Sequence, residues 1–396
     1  MDKKIYKYIG ILVGLLVLIV IVVWLGSLLT GGGKLSYVEI ETKLVKAAKE
    51  YAEDHPAILP TENGTSMTLS STVLINNGYI KELSSYSSDS NTVCNGSVEI
   101  YLTEGNFYNY VPNFNCGTKY KTIRLYDKVL TDNDYGVVTG SGLYERRNGK
   151  FITNYEDLGS DDYTSLEYVF RGDEVNNFVK IDNNYWRIVA INEDNDMLLI
   201  YVGYIQKNSA WDDRYNAEYN KNQGINIYEQ DGIKSRAMES VEKFYNGEVV
   251  LVDKEEYSPK TRYLTVPMNL CVGKRSTTET DISGAIECKK TLENQYAGLL
   301  PAYYYMSASL DVDCDSIVSK NCGNYNYLSQ FDDYWWLLTA NSENTNEAYS
   351  ISKKYADSNL CSYKSSIRPT IMLGSRVVYE SGIGTQADPY TIKFYE

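Results

Sequence analysis

The stretch IGILVGLLVLIVIVVWLGSLL, residues 9–29, contains no charged residue and decides how the rest of the chain is organised. At about 1.5 Å rise per residue, a helix of this length spans the roughly 30 Å hydrocarbon core of a bilayer. A buried core helix would keep a polar face, and a cleaved signal peptide would have a shorter apolar region followed by an Ala-x-Ala site. The stretch therefore predicts an uncleaved transmembrane anchor.

The charges on either side of this stretch predict its orientation. Lys3, Lys4 and Lys7 precede it, whereas Glu39 and Glu41 follow it. Because positive residues favour the cytoplasmic side, residues 1–8 are predicted to be cytoplasmic and the rest of the chain extracellular. The sequence thus predicts a single-pass protein of the cell membrane, with the lipid bilayer as a partner through residues 9–29.

Composition narrows the number of domains and the class of partner. The chain has 396 residues, and the part beyond the apolar stretch is longer than one hydrophobic core usually organises, so two domains are expected. The 38 basic and 52 acidic side chains give a net charge of −14, which would repel a phosphate backbone and argues against nucleic acid. The excess of tyrosine over phenylalanine, 38 against 8, favours β-strands and partly solvent-exposed surfaces.

The seven cysteines predict disulfides in an oxidising compartment. A zinc site is disfavoured, since the chain has no C-x-x-C pair and His55 is its only histidine. Residues 98–102 and 107–114 have the pattern of a hairpin turning at Gly105, and Cys94 and Cys116 lie equally far from that glycine. This predicts a Cys94 to Cys116 bond. Pairing cysteines that are close in sequence predicts two further bonds, Cys271 to Cys288 and Cys314 to Cys322. Cys361 is then left as a free thiol.

The region after the apolar stretch predicts two helices before this hairpin. Apolar residues recur at helical spacing from Ser36 to Asp54, and a short helix is signalled by Ser70 or Ser71 as its cap and Gly78 as its end. This order of parts, with AAKEY at 47–51 and LINNGYI at 74–80, resembles a type IV pilin or pseudopilin. The resemblance implies a small pilin-like α+β domain over residues 34–120.

Residues 121–162 are polar and interrupted by glycine, and we predict a linker there. From 163 to 396 a second domain is predicted, which opens with three antiparallel strands at 178–181, 185–191 and 197–202. Its FRG at 170–172, YWRIV at 185–189, WWL at 335–337 and IRP at 367–369 resemble an uncharacterised surface-protein module of Gram-positive bacteria. The module is distantly similar to C-type lectins and formylglycine-generating enzymes. The predicted fold class is α+β: an N-terminal transmembrane helix, the pilin-like domain, and a larger mixed α/β domain rich in antiparallel strands.

The sequence gives little support for catalysis. His55 precedes a proline at a helix end, and no Gly-x-Ser-x-Gly motif is present. The acid pairs Asp212-Asp213 and Asp332-Asp333 could serve a surface hydrolase, but adjacent side chains of a strand point to opposite faces. No catalytic residue and no cofactor is predicted.

Two candidate binding features remain. Asp311, Asp313 and Asp315 have the alternate spacing that begins a calcium loop, although Ser316 and Cys322 stand where an EF-hand has Gly and Glu. Aromatic rings are dense in two segments of the second domain, and rings with a polar edge suit stacking on sugars or extended polymers, although about half should face the core. The candidate ligand-binding residues are Tyr303, Tyr304, Tyr305, Tyr334, Trp335 and Trp336.

These observations predict an extracellular binding or adhesion protein displayed on a bacterial surface, with a glycan or another surface protein as its partner. Two alternatives stay open. The pilin resemblance implies a structural or minor component of a type IV pilus-like or secretion apparatus, and the exposed acids leave a surface hydrolase acting on cell-wall or host glycan.

Overall fold

The computed structural model describes residues 34–89, 91–103, 107–158, 163–248, 259–352 and 355–395. The predicted anchor, residues 9–29, and the predicted cytoplasmic segment lie outside these ranges. Within them, no helix combines the length and the apolar character needed to cross a bilayer.

Strands outweigh helices in this protein, at 35% against 22%. The predicted fold class, α+β with an N-terminal transmembrane helix, is therefore wrong: the described chain is mainly β, and no helix in it could span a membrane. The physical reason lies in the side chains. Tyrosine and β-branched residues fit a pleated, half-buried surface, and after the first helix the apolar runs are too short to build long helices.

The helical elements are short after the first one. The α-helices are α1 Tyr37–Asp54, α2 Ser71–Asn76, α3 Leu125–Asp132, α4 Tyr155–Leu158, α5 Arg236–Tyr245, α6 Pro259–Leu264 and α7 Ala302–Ala308. Turns of 3₁₀ helix lie at Pro56–Ile58, Leu83–Tyr86, Glu287–Lys289, Lys320–Gly323 and Tyr327–Gln330.

The strands number consecutively along the chain. They are β1 Ser66–Ser70, β2 Asn95–Thr103, β3 Phe107–Asn115, β4 Gly142–Arg147, β5 Lys150–Phe151, β6 Leu166–Arg171, β7 Phe178–Ile181, β8 Asn184–Asn192, β9 Met197–Tyr201, β10 Gln206–Ser209, β11 Glu229–Gln230, β12 Ile233–Lys234, β13 Thr265–Val266, β14 Met268–Cys271, β15 Thr291–Gln295, β16 Ala297–Gly298, β17 Trp335–Ala340, β18 Glu347–Ser352, β19 Tyr355–Leu360, β20 Ser365–Ile367, β21 Thr370–Leu373, β22 Tyr379–Ser381 and β23 Tyr390–Ile392.

The described residues form two compact units. The first comprises the residues up to 102, residues 110–122 and Tyr395, and the second comprises 103–109 and 123–394. In the first unit, helix α1 begins at a capping box in which Ser36 accepts from the Glu39 backbone and the Glu39 carboxylate accepts from the Ser36 backbone. The apolar side of α1 is buried, as are the inward residues of the three-stranded sheet β1-β2-β3. The helix and hairpin predicted from the sequence are confirmed.

A buried carboxylate ties a distant part of the chain into the first unit. Glu41, on α1, is fully buried and accepts hydrogen bonds from the Thr122 hydroxyl, from the Tyr120 hydroxyl at 3.1 Å and from the Tyr395 hydroxyl at 2.6 Å. Lys49 Nζ also donates to the Tyr395 carbonyl at 2.9 Å. Tyr395 is thus held by two residues of one helix, although it follows the whole second unit in sequence.

The second unit is built on one large sheet and one smaller sheet. The large sheet has the order β13-β21-β9-β8-β6-β4-β5, and β7 pairs with both β8 and β23. The smaller sheet has the order β10-β20-β17-β18-β19. The predicted antiparallel arrangement of β7, β8 and β9 is confirmed. Residues 121–162, where the sequence predicts a linker, contain α3, α4 and strands β4 and β5, and both strands belong to the large sheet.

Three disulfides join the pairs that the sequence predicts. Cys94 is bonded to Cys116, Cys271 to Cys288 and Cys314 to Cys322, while Cys361 is free and buried. Each bond closes a local loop, with separations of 22, 17 and 8 residues. The bonds therefore stabilise single loops, and none of them links the two units.

Candidate functional site

The aromatic cluster predicted to bind a ligand lies mostly in the core. Tyr303, Tyr304, Tyr305, Trp335 and Trp336 are each at most 8% exposed, and only Tyr334 is well exposed, at 40%. Helix α7 and strand β17 carry these rings, and every residue of both elements is buried. A platform of exposed rings is therefore not what these residues form, because elements covered on all sides have no face left for a sugar.

Two of the buried rings form hydrogen bonds inside the protein, whereas Trp335 Nε1 has no hydrogen-bond partner among the described residues. Trp336 Nε1 donates to the Ser209 carbonyl at 2.9 Å, and the Tyr304 hydroxyl donates to the Glu167 carboxylate, which also pairs with Arg146. Burial raises the pKa of Tyr304 well above that of a free tyrosine, and the charge of Glu167 acts in the same direction. These rings stabilise the second unit from within.

The predicted calcium loop is held by its own hydrogen bonds. Asp311 accepts from the Asn324 amide at 2.8 Å and from the Asp313 backbone at 2.9 Å, and these hydrogen bonds lower the pKa of its carboxyl group. Asp313 and Asp315 are exposed. Over the residues that the structure describes, no group of three or more His, Cys, Asp or Glu side chains could hold a metal ion.

The acid pairs and the histidine each take part in local contacts of their own. Asp212 is fully buried and pairs with Arg214 at 2.6 Å, whereas Asp213 pairs with Arg236 at 2.9 Å. His55 stacks on Tyr51 of the first unit, with their ring centroids 4.2 Å apart. The remaining acids, Asp332 and Asp333, line a cleft of the second unit.

This cleft, which we call the arginine cleft, has a volume of about 500 Å³. Its charged side chains are Arg187, Arg368, Asp332 and Asp333, and its aromatic ones include Tyr185 and Tyr204. The combination of two arginines with aromatic walls distinguishes it from three other clefts of the second unit, whose linings include no arginine or a single exposed one.

The arginine cleft forms where the chain passes twice between the two sheets. One passage runs from β9 to β10 through Val202, Gly203 and Tyr204, and the other runs from β20 to β21 through Arg368 and Pro369. The passages are hydrogen-bonded side by side, from Tyr201 N to the Pro369 carbonyl at 3.0 Å and from Ile205 N to the Ile367 carbonyl at 2.9 Å. These hydrogen bonds hold the two passages together beside the arginine cleft.

Arg368 is buried beside the cleft, and no carboxylate of the described residues forms an ion pair with it. It is only 3% exposed, and its Nη1 donates to the carbonyl of Val202 and, at 2.6 Å, to that of Gly203. Its Nε is buried and has no hydrogen-bond partner among the described residues. The guanidinium carbon lies 4.3 Å from the Phe331 ring centroid. Burial lowers the pKa of Arg368 to about 10, and the charges of Asp333, Tyr204 and Asp332 act in the opposite direction.

Arg187 also lines the arginine cleft. It is 4% exposed, and Nε donates to the Asn177 amide oxygen at 2.8 Å. Its other hydrogen bonds are longer, at 3.4 Å to Gln330 Oε1 and 3.5 Å to the carbonyls of Tyr327 and Val175. Burial lowers the pKa of Arg187 to about 10. Both arginines therefore carry their charge in a dry setting, and no described acid forms an ion pair with either.

The two acids lie nearer to solvent than the arginines. Asp333 pairs with the half-exposed Lys207 at 3.5 Å, and Lys207 Nζ also lies 5.5 Å from the Tyr204 ring centroid. Asp332 is exposed and has no ion pair with a described residue. The arginine cleft thus has positive charge inside and one free negative charge at its rim.

Sequence reasoning assigned the segments that hold these arginines to the core and missed the site. The usable signal is an arginine inside an otherwise apolar strand pattern, as at Arg187 within YWRIV and Arg368 within IRP. A buried arginine without a nearby acid in sequence needs a partner from elsewhere.

The sequence matches no protein-family model, no curated protein and no solved structure. The resemblances to type IV pilins and to the Gram-positive surface module therefore stay predictions.

Proposed function

We propose that the protein is an extracellular binding or adhesion protein and that the arginine cleft holds an anionic group of its ligand. One observation carries this proposal: the Arg368 guanidinium is buried beside a cleft, its buried Nε has no hydrogen-bond partner among the described residues, and no described carboxylate forms an ion pair with it. Burying an unpaired charge costs several kcal/mol, so buried charges are normally paired. A ligand carboxylate, sulfate or phosphate would supply the missing acceptor with the bidentate geometry that arginine favours.

The residues around the arginine cleft support ligand binding rather than catalysis. Aromatic side chains in the cleft offer flat apolar contact, and the hydrogen bonds between the two passages position Arg368 before a ligand arrives. Three disulfides support an oxidising, extracellular location. No specific observation in the described residues favours the two alternatives, a pilus-like component or a surface hydrolase.

The test is a binding screen on the purified full-length chain with sodium glucuronate, sodium sulfate and sodium phosphate as anionic probes and glucose as the neutral probe. We expect at least one anion to raise the melting temperature and to bind in calorimetry, and glucose not to bind. Arg368→Gln should weaken that binding about tenfold or more, because a hydrogen bond to a charged group contributes about 1.5–3 kcal/mol. Arg236→Gln, at an arginine that is more than half exposed and paired outside the cleft, is the matched control.

Tyr204→Ala keeps the test decisive if Arg368→Gln does not fold, since Tyr204 is only half-buried and lines the same cleft. We expect it to weaken anion binding while the protein still unfolds cooperatively. Equal binding of the anion by wild type, Arg368→Gln and Tyr204→Ala would place the ligand elsewhere. Absence of binding by every anion would overturn the proposal.

A further inference from the structure

We infer that the ligand group held in the arginine cleft is a zwitterion, with a carboxylate and an ammonium on neighbouring atoms as in an α-amino acid. This inference rests on the proposed function, because it assumes that Arg368 binds a carboxylate of the ligand. It adds a ligand ammonium to the ligand carboxylate and assigns the binding of that ammonium to Asp332.

The first step is the polarity of the cleft. Arg187 and Arg368 lie in its buried part, whereas Asp332 and Asp333 line its exposed part. Asp332 and Asp333 are close enough to oppose the lowering of the Arg368 pKa, yet no described ion pair joins either acid to Arg368. Opposite charges thus line the same cleft, and no described ion pair joins the acids to Arg368. A ligand with the reverse polarity would bridge them.

The second step is the choice of acid. Asp333 already has a cation, because Lys207 Nζ lies 3.5 Å from its carboxylate. Lys207 also covers the Tyr204 ring, whose centroid is 5.5 Å from the same nitrogen. Asp332 is left exposed and without an ion pair in the described structure. Its carboxylate is therefore the acceptor available to a ligand ammonium.

The third step is discrimination against a simple anion. A ligand with only negative charge would meet Arg368 but would lie beside Asp332 and Asp333, and like charges brought together lower affinity. An ammonium next to the carboxylate converts that repulsion into attraction. A free amino acid and the amino-acid end of a larger molecule share this chemistry, so the size of the ligand needs a separate arm of the experiment.

The experiment measures calorimetric affinity of the full-length chain for glycine, alanine, glutamate, lysine and phenylalanine, in both enantiomers where they exist, and for their N-acetyl and α-amide derivatives. The N-acetyl forms lose the ammonium and the amides lose the carboxylate. We expect the free form of the best binder to be about fivefold tighter than its N-acetyl form, as an exposed ion pair is worth up to about 1 kcal/mol. The amide should bind about tenfold or more weakly, because it loses the charged partner of Arg368.

Asp332→Asn supplies the residue-specific arm. Asp332 is exposed, so the variant should fold, and it should bind the free amino acid about fivefold more weakly while binding the N-acetyl form no worse. Asp315→Asn, another exposed aspartate of the second unit, should change neither affinity. Nε-acetyl-lysine carries the α-amino acid group at one end of a longer chain, so it tests whether the ligand is a free amino acid or the amino-acid end of a larger molecule. Affinity equal to that for lysine supports the end of a larger molecule. Clearly weaker affinity supports a small free amino acid.

The outcomes separate this inference from the proposed function. Equal affinity for the free and N-acetyl forms, unchanged by Asp332→Asn, would overturn the zwitterion while leaving anion binding in place. Equal affinity for the free form and the amide would overturn the role of Arg368 as the carboxylate partner. If no carboxylate compound and no inorganic anion binds at concentrations up to about 10 mM, where even an interaction of about 3 kcal/mol is detectable, both proposals are overturned.

Discussion

Phe178 and Arg187 lie directly opposite each other across strands β7 and β8, and the guanidinium carbon of Arg187 is 4.3 Å from the centroid of the Phe178 ring. The Tyr327 ring centroid lies 4.6 Å from the same carbon. Two rings and the hydrogen bond from Nε to Asn177 therefore fix the guanidinium of Arg187. One wall of the arginine cleft is rigid for this reason.

Arg187→Met should lower the free energy of unfolding by about 2 kcal/mol, because it removes the ring contacts and leaves the fully buried Asn177 amide oxygen without its donor. Urea unfolding followed by circular dichroism measures the change. Lys207→Ala, which removes a half-exposed cation near the same cleft, should stay within about 0.5 kcal/mol of wild type. A loss in Arg187→Met no larger than that of the control would contradict the assigned role.

The ion pair of Arg275 and Glu287 is the second stability test. Both side chains are fully buried, and the guanidinium meets the carboxylate twice, at 2.9 and 3.0 Å. Glu287→Leu should cost about 3–5 kcal/mol, since it leaves a buried charge unpaired. The double variant Arg275→Met/Glu287→Leu should be less destabilised than the sum of its single variants, and additive losses in urea unfolding would show that the two side chains act independently.

Tyr327 and Tyr349 form a matched pair with opposite expected outcomes. Both rings are fully buried, but the Tyr349 hydroxyl donates to the Arg275 carbonyl at 3.0 Å, whereas the Tyr327 hydroxyl has no partner among the described residues. Tyr327→Phe should raise the free energy of unfolding by about 1 kcal/mol, because an unsatisfied buried hydroxyl is removed. Tyr349→Phe should lower it by a similar amount. Destabilisation by both changes would show that Tyr327 has a partner, such as a bound water.

The same tyrosine predicts a dependence on alkaline pH. Burial raises the pKa of Tyr327 above the 10.0 of a free tyrosine, while the charge of Arg187 acts in the opposite direction. The folded state therefore holds this proton more tightly than the unfolded state. The resulting stabilisation is fully present below pH 10.0 and is lost as the pH rises from there through the higher pKa of the folded state. The advantage of Tyr327→Phe in melting temperature should grow between about pH 8 and about pH 11.

The cysteines predict a mass-spectrometric pattern and a stability change. Peptides from the unreduced protein should contain Cys94 linked to Cys116, with the other two pairs as the structure has them. Replacing Cys94 and Cys116 by serine should cost about 3 kcal/mol, from the unfolded-state entropy of a loop of this length. Cys361 is buried, and burial raises its pKa well above the ordinary value, so iodoacetamide should react with it only after unfolding. Alkylation of Cys361 in the native protein would contradict its burial.

Local patterns predicted local structure well in this chain. The helical spacing of apolar residues in α1, the hairpin symmetry that brings Cys94 to Cys116, and the strand pattern of β7 to β9 all act over short sequence distances. The pairing of β23 with β7 and of β20 with β17 is parallel and joins segments with no local signal. For the same reason the burial of Tyr305 and Trp336 was missed, since which rings face the core depends on which strands become neighbours.

The arginine cleft was beyond sequence reasoning for a related cause. Arg368 and the Val202 carbonyl are 166 residues apart, and they meet only because two passages between sheets run side by side. What the sequence shows is an arginine in an apolar segment. That no described acid forms an ion pair with this arginine can be known only when all of its neighbours in space are known.

Tyr395 and Glu41 are 354 positions apart, and their hydrogen bond belongs to the first unit. During synthesis α1 leaves the ribosome long before Tyr395 is added. The Glu41 carboxylate therefore lacks its hydrogen bond from the Tyr395 hydroxyl while the second unit is translated. The first unit can therefore reach its final packing only after the second unit has been translated. A ribosome that stalls before it reaches Tyr395 would leave α1 incompletely packed and open to chaperones and proteases.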